Sequence, residues 1–303
     1  MFKRIGLFLL VNLCVVLTLS VLIQALGLKP YLTKEGLDPL SLLVFCFIWG
    51  MGGAFISLLI SKFLAKSMMG IQILNDNPTN PTYQNLVRMV RQLSQKAGLK
   101  QVPEIGVYQA QELNAFATGP SQRHSLVAVS SGLLAAMTDD ELEGVLAHEL
   151  AHIKNGDMVT MTLLQGVVNA FVMFLARILA FALTSKGKNN SSRSSFGSYY
   201  LFVFVFELIF LAAGSLVIAA FSRWREFRAD KGGAQTAGTL KMVAALERLR
   251  KQASYNNQTT SELKEQPALA YLKISSRKSS GFRRFFASHP PLEERIARLK
   301  SRC

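Results

Sequence analysis

The chain has 303 residues, 50% of them hydrophobic, a mean hydropathy of +0.26 and a formal net charge of +15 at pH 7. So apolar a composition excludes an ordinary soluble enzyme, and its union with high positive charge points to a membrane protein with basic cytoplasmic parts. The three cysteines (Cys14, Cys46 and Cys303) form no Cys-x-x-Cys, so neither a thiolate zinc site nor a disulfide framework can be read, and Cys303 ends the chain too early for a prenylation signal.

Residues 5–28 are a mostly apolar run behind Lys3 and Arg4. A secretory signal has an apolar core of roughly 7–15 residues and a small-residue cleavage site, so this longer run is expected to be an uncleaved transmembrane helix. Residues 39–64 form a second run long enough to span. Gly50, Gly52 and Gly53 in its middle would permit close helix packing. Lys62 and Lys66, with Lys3 and Arg4, place both ends of this pair inside and the loop 29–38 outside.

Residues 75–158 read as part of a soluble domain. Asn80-Pro81 opens a helix with Tyr83, Leu86, Val87, Val90 and Leu93 as its apolar stripe, and Gly98 ends it. Residues 104–108, 115–118 and 125–130 read as short strands of a small sheet.

The next stretch contains His148-Glu149-x-x-His152. A bare five-residue pattern arises by chance, but this one falls on a well-specified helix. Thr138 with Glu141 reads as a capping box, and Asp139, Asp140 and Glu141 complement the positive end of the helix dipole. Leu142, Val145, Leu146, Leu150 and Ile153 form an apolar face, and Asn155-Gly156 is a stop signal. Residues four apart share a helix face, so His148 and His152 can point at one metal ion while Glu149 reaches a water beside it.

Residues 159–184 are apolar around Gln165, Asn169 and Arg177; 185–198 are polar; 199–220 are apolar around Glu207. These are expected to be transmembrane helices three and four, with 185–198 outside. Lys186, Lys188 and Arg193 in that loop oppose the positive-inside tendency, so a hairpin packed on the domain or partly inserted is the alternative. Arg177 and Glu207 are expected to pair; a snorkelling Arg177 is the competing reading. Residues 221–303 hold eighteen Lys/Arg against seven Asp/Glu. No nucleic-acid motif accompanies that charge, and a face against anionic lipid explains it more simply. Residues 239–252 form an amphipathic helix, 253–267 a polar connector, and Pro290-Pro291 opens a last helix with Leu292, Ile296 and Leu299 on one side.

A catalytic zinc takes three protein ligands and keeps a place for water. The only histidines are His124, His148, His152 and His289, and position 158 is Met, so a carboxylate is expected as third ligand. Glu226 is the best candidate, and Asp230, one helical turn on, could orient the site. Pairing of both with neighbouring arginines on a surface fits the spacing equally well.

His-Glu-Leu-Ala-His, followed about seventy residues later by Arg-Glu-Phe-Arg-Ala-Asp, resembles the HtpX-type membrane zinc metallopeptidases, relatives of the CAAX prenyl endopeptidases. The likeness also takes in the two leading apolar runs, Asn114-Ala115-Phe116-Ala117, the apolar pair between the motifs, and Ser288-His289-Pro290-Pro291 with Arg295. It implies a mainly α membrane protein with about four transmembrane helices and a cytoplasmic α+β zincin-like (gluzincin) catalytic domain carrying a small sheet. Its parts would be an N-terminal transmembrane hairpin (1–66), a first catalytic part with the zinc helix (67–158), a second hairpin (159–221) and a second catalytic part (222–303).

The resemblance further implies one Zn2+ per chain on His148, His152 and Glu226, with Glu149 as general base. Asn114, Ala115, Phe116 and Ala117 would be an edge strand that receives substrate, His289 would stand near the oxyanion, and Arg295 would hold Asp230. Phe227 stands where the family commonly has Tyr. The implied function is endoproteolysis of misfolded or damaged membrane proteins on the cytoplasmic face of a bacterial inner membrane, part of stress response and protein quality control. Partners would be polypeptide substrates and the bilayer, not nucleic acid, with self-cleavage in the connector also open. A prenyl-protein processing enzyme would want more than four spans. A scaffold with structural zinc would need no Glu149.

Overall fold

The computed structural model describes residues 32–33, 36–185, 194–259 and 289–301. The first apolar run, most of the polar loop at 185–198, residues 260–267 of the connector, and Ser288 lie outside them. In chain order the elements are β1 (Leu32–Thr33), β2 (Gly36–Leu37), α1 (Pro39–Met69), β3 (Gln72–Ile73), α2 (Pro81–Ala97), β4 (Glu104–Tyr108), β5 (Ala115–Thr118), β6 (Leu126–Ser130), α3 (Ser131–Ala136), α4 (Asp139–Asn155), α5 (Asp157–Ser185), α6 (Ser194–Ala237), α7 (Thr239–Thr259) and α8 (Leu292–Lys300). The protein is mainly helical with a small mixed sheet. It divides into two compact units, Met1–Ser57 with Met161–Ile218, and Leu58–Thr160 with Ala219–Cys303.

Among the described residues three helices, Pro39–Met69, Asp157–Ser185 and Gly197–Ala237, are long and apolar enough to cross a membrane. Within the first unit they leave Phe47, Phe171, Leu201, Phe204 and Ile209 exposed, faces that suit lipid rather than water. Gly50 is a point of close approach: a Cβ there would stand 2.6 Å from the backbone nitrogen of Ala170 and 2.8 Å from the carbonyl oxygen of Gly166. Gly53 faces open space, so of the glycines in that run Gly50 serves packing and Gly53 does not. Arg177 donates to Glu207 at 2.7 Å and to the Met173 carbonyl at 3.1 Å, the pairing expected of two charges in an apolar hairpin.

The second unit holds the sheet, ordered β3-β4-β6-β5, with β4 and β6 parallel and the outer pairs antiparallel. All five residues of β6 are buried, as befits a central strand. The core joins Leu86, Val90 and Leu93 of α2 to Leu146, Leu150 and Ile153 of α4, and to Met242 and Leu246 of α7. Local signals set the helix ends. Asn80 accepts from the Thr82 N–H at 2.9 Å, and α2 closes on Gly98 at φ 74°. The first turn of α4 carries both bonds of a capping box: Glu141 Oε2 accepts the Thr138 N–H at 2.9 Å, and Thr138 Oγ1 accepts the Glu141 N–H at 3.4 Å.

Several elements differ from the sequence reading. Helix α7 continues to Thr259, so the first residues of the expected connector are helical. Residues 239–259 contain no Gly or Pro, and a helix whose first half is anchored by Met242, Leu246 and Leu249 propagates at little cost. Helix α6 runs to Ala237 and so includes the Arg-Glu-Phe-Arg-Ala-Asp stretch. The short helix α3 is unanticipated; the Ser130 hydroxyl nucleates it by accepting the Leu133 N–H at 3.1 Å.

Candidate metal centre

Two helices of the second unit bring the chemistry together. Helix α4 supplies His148 and His152, one turn apart, and α6 supplies Glu226 and Asp230, also one turn apart. The helices approach closely because α6 presents Gly232 and Gly233 to α4. A Cβ on Gly233 would lie 3.2 Å from the His148 backbone nitrogen, and one on Gly232 would lie 2.9 Å from the Ala151 Cβ. A side chain at either position would crowd α4.

His148 Nε2 lies 3.2 Å from His152 Nε2 and 3.4 Å from Glu226 Oε2, and His152 Nε2 lies 3.4 Å from Glu226 Oε1. The two Glu226 oxygens thus each face one imidazole, and one ligand atom from each of the three residues lies within 4.8 Å of the other two, a spacing that one small cation can bridge. Glu226 is completely buried. Its Oε2 comes within 2.9 Å of His289 Nδ1, yet neither atom makes a hydrogen bond among the described residues. A buried carboxylate oxygen left in that state is costly unless a cation completes it. The residues therefore fit a bound metal ion.

Each histidine is oriented through its other nitrogen. His148 Nδ1 sits 3.0 Å from Asp230 Oδ1, and Asp230 is gripped by Arg295 of α8 through Nε (2.8 Å) and Nη2 (2.6 Å). His152 Nδ1 sits 2.6 Å from Asp157 Oδ2, and the other Asp157 oxygen accepts from Arg228. Carboxylates in these positions fix the ring tautomer and leave the Nε2 lone pairs facing inward. Arg295 is wholly buried with Asp230 and Glu226 around it; burial opposes its charge, but the Asp230 carboxylate outweighs that and raises its pKa. For His148, burial likewise opposes protonation, yet the Asp230 and Glu226 carboxylates beside it prevail and raise the pKa to about 9 in the metal-free site.

The sequence-derived candidates fall as follows. His148, His152, Glu226, Asp230, Arg295 and His289 converge. Glu149 lies beside His148 on the same helix and is buried. Asn114 is buried and donates from Nδ2 to the Tyr108 hydroxyl at 2.9 Å, with its N–H bonded to Ser130 Oγ at 3.2 Å. Its carbonyl accepts the Ser130 N–H at 2.9 Å, so 114 and 130 are a hydrogen-bonded pair. Alternation along an antiparallel ladder then turns the N–H and C=O groups of Ala115 and Ala117 away from β6, to the outer side of β5. Among the described residues no strand pairs with that side, and β5 lies against α4. Asp157 and Arg228 escaped the sequence reading. The available signal was an acidic residue placed directly after the glycine that ends the histidine helix.

The profile of peptidase family M48 matches residues 81–303. The protease HtpX homolog of Bacillus subtilis strain 168 is 48% identical over 309 residues and covers 100% of both chains. Protease HtpX of Xanthomonas oryzae pv. oryzae strain MAFF 311018 is 46% identical over 301 residues, covering 99% of this chain and 98% of its own. Among solved structures, the crystal structure of S. mikatae Ste24p superposes with a TM-score of 0.55 at 20% identity, over 99% of this chain and 66% of that one, a likeness of fold. With two histidines and a glutamate converging inside the matched region, and full-length relatives near half identity, the chain belongs to peptidase family M48 and is a metallopeptidase.

Proposed function

We propose that the protein is a zinc-dependent endopeptidase of a bacterial inner membrane that cuts misfolded or damaged membrane proteins on the cytoplasmic side. The observation that carries the metal reading is the buried cluster of His148, His152 and Glu226, whose ligand atoms lie within 4.8 Å of one another. Zinc is the cation that two imidazoles and one carboxylate suit best. Bound there, it would supply a Lewis acid that acidifies water and polarises a carbonyl.

The chain's own residues do the rest. An extended substrate adds as a strand to β5, its backbone meeting the outward groups of Ala115 and Ala117, while Asn114 and Phe116 hold that strand in register from behind. Glu149 takes a proton from the attacking water and delivers it to the departing amine nitrogen. His289 donates to the oxyanion that develops on the scissile carbonyl. Asp230 holds His148 and is itself held by Arg295. The basic residues Lys3, Arg4, Lys62 and Lys66 support the cytoplasmic orientation.

The test compares wild type with Glu149→Gln in casein cleavage, with zinc content measured in both. Equal zinc with a fall in rate of about 10²–10⁴-fold supports the assignment of the base. Cleavage at the wild-type rate by Glu149→Gln would remove Glu149 from the mechanism.

A further inference from the structure

His152 is supported by a pair of residues that the proposed mechanism leaves without a role. Asp157 is 1% exposed. Gly156 ends α4 at φ 67°, which turns the chain sharply and brings the next residue back beside the last turn. Asp157 therefore meets His152 Nδ1 at 2.6 Å. Its second oxygen accepts from Arg228, which lies two residues past Glu226 on α6 and stacks 4.9 Å over the Trp224 ring. A helix dipole alone would explain an exposed acid at this first turn of α5, where water satisfies the rest of the carboxylate. It does not explain a buried one with both oxygens engaged by side chains from two other helices.

We propose that Asp157, clamped by Arg228, is a positioning residue for the metal centre: it holds His152 in the tautomer that offers Nε2 to the ion and locks the histidine helix to the helix that carries Glu226. The arrangement repeats on His152 what Asp230 and Arg295 do for His148, with different residues. Either brace alone leaves one imidazole free to rotate about its Cβ–Cγ bond.

The inference rests on His148, His152 and Glu226 being metal ligands. Full-length protein in detergent is stripped of metal and titrated with Zn2+ against a competing chelator, and with Co2+ followed by its visible absorption. Failure of wild type to bind an ion defeats the ligand assignment itself. Given one ion per chain in wild type, Asp157→Ala is expected to weaken Zn2+ binding about 10–100-fold and to change the Co2+ bands, with Asp157→Glu recovering part of both. Arg228→Ala is expected to cost less, and to add nothing when combined with Asp157→Ala. Metal-free melting of every variant checks folding, and if Asp157→Ala does not fold, Asp157→Asn and Arg228→Lys take its place, each expected to lose affinity and alter the bands. Folded Asp157 variants with wild-type affinity and wild-type Co2+ bands would overturn the proposal, as would fully additive effects of the two substitutions.

Discussion

The two units each hold charge among apolar residues, and they do so in opposite ways. In the first, Arg177 and Glu207 meet at 2.7 Å, one cation against one anion. In the second, Glu226 is surrounded by His148, His152, His289 and Arg295, yet its Oε2 has no hydrogen bond among the described residues. The first arrangement is closed and serves the packing of an apolar hairpin. The second is left open toward its own centre, and an open buried cluster is the mark of a site built for something additional. The pairing of charges is therefore less informative than whether the pairing is complete.

The largest effect on folding is expected at the open cluster. Arg295→Met removes the cation from Asp230 and Glu226 while keeping most of the volume. Leaving the buried Asp230 carboxylate without its cation should lower stability by about 3–5 kcal/mol, read as a shift in the metal-free denaturation midpoint. A shift near zero would mean that Arg295 is not the counter-charge of the cluster.

The same cluster should respond to pH. The His148 pKa is raised from 6.5 to about 9 in the metal-free fold. A folded-state pKa above the unfolded one gives stability that is complete below pH 6.5 and disappears as pH rises through about 9. Metal-free protein should thus melt at progressively lower temperature across that window. Metal affinity should move the opposite way and increase with pH, because a ligating imidazole must lose its proton. Melting curves with and without Zn2+ from pH 6 to pH 9.5 check both signs; a metal-free melting temperature that climbs with pH would contradict the first.

Breaking the closed pair should cost less. Arg177→Glu and Glu207→Arg each place like charges together, and the double exchange should restore stability with a coupling of about 1–2 kcal/mol in a double-mutant cycle. A double variant no more stable than either single one would show that the two side chains act independently. The smallest effect is expected at the carrier of the histidines: Thr138→Ala removes one half of the capping box and should cost about 1 kcal/mol with metal content unchanged.

These comparisons also mark what the sequence could reveal. The capping box, the apolar face of α4 and the Gly156 stop are local features, and the structure has all three. The Leu292, Ile296 and Leu299 face of α8 was visible by the same periodic rule. The brace on His152 was not, because Asp157 and Arg228 stand 71 positions apart and each looks ordinary in its own neighbourhood. Arg228 reads as one of three arginines in a basic stretch, and its partner reads as the acidic start of the next helix. The strand β3 was equally hidden, since two exposed residues carry no period. The helical end of α7 was missed because polar composition marks solvent exposure, which a helix end also has.

The proposed metal ligands are divided along the chain. His148 and His152 precede the hairpin of α5 and α6, Glu226 follows its apolar part, and Arg295 lies eight residues from the last position. Translation runs in that same order, so a chain still being synthesised carries two histidines with no carboxylate opposite them until the second hairpin has been made. Even then Asp230 lacks its counter-charge until α8 emerges. On the proposed ligand set, the site is thus incomplete until α6 and then α8 have been made.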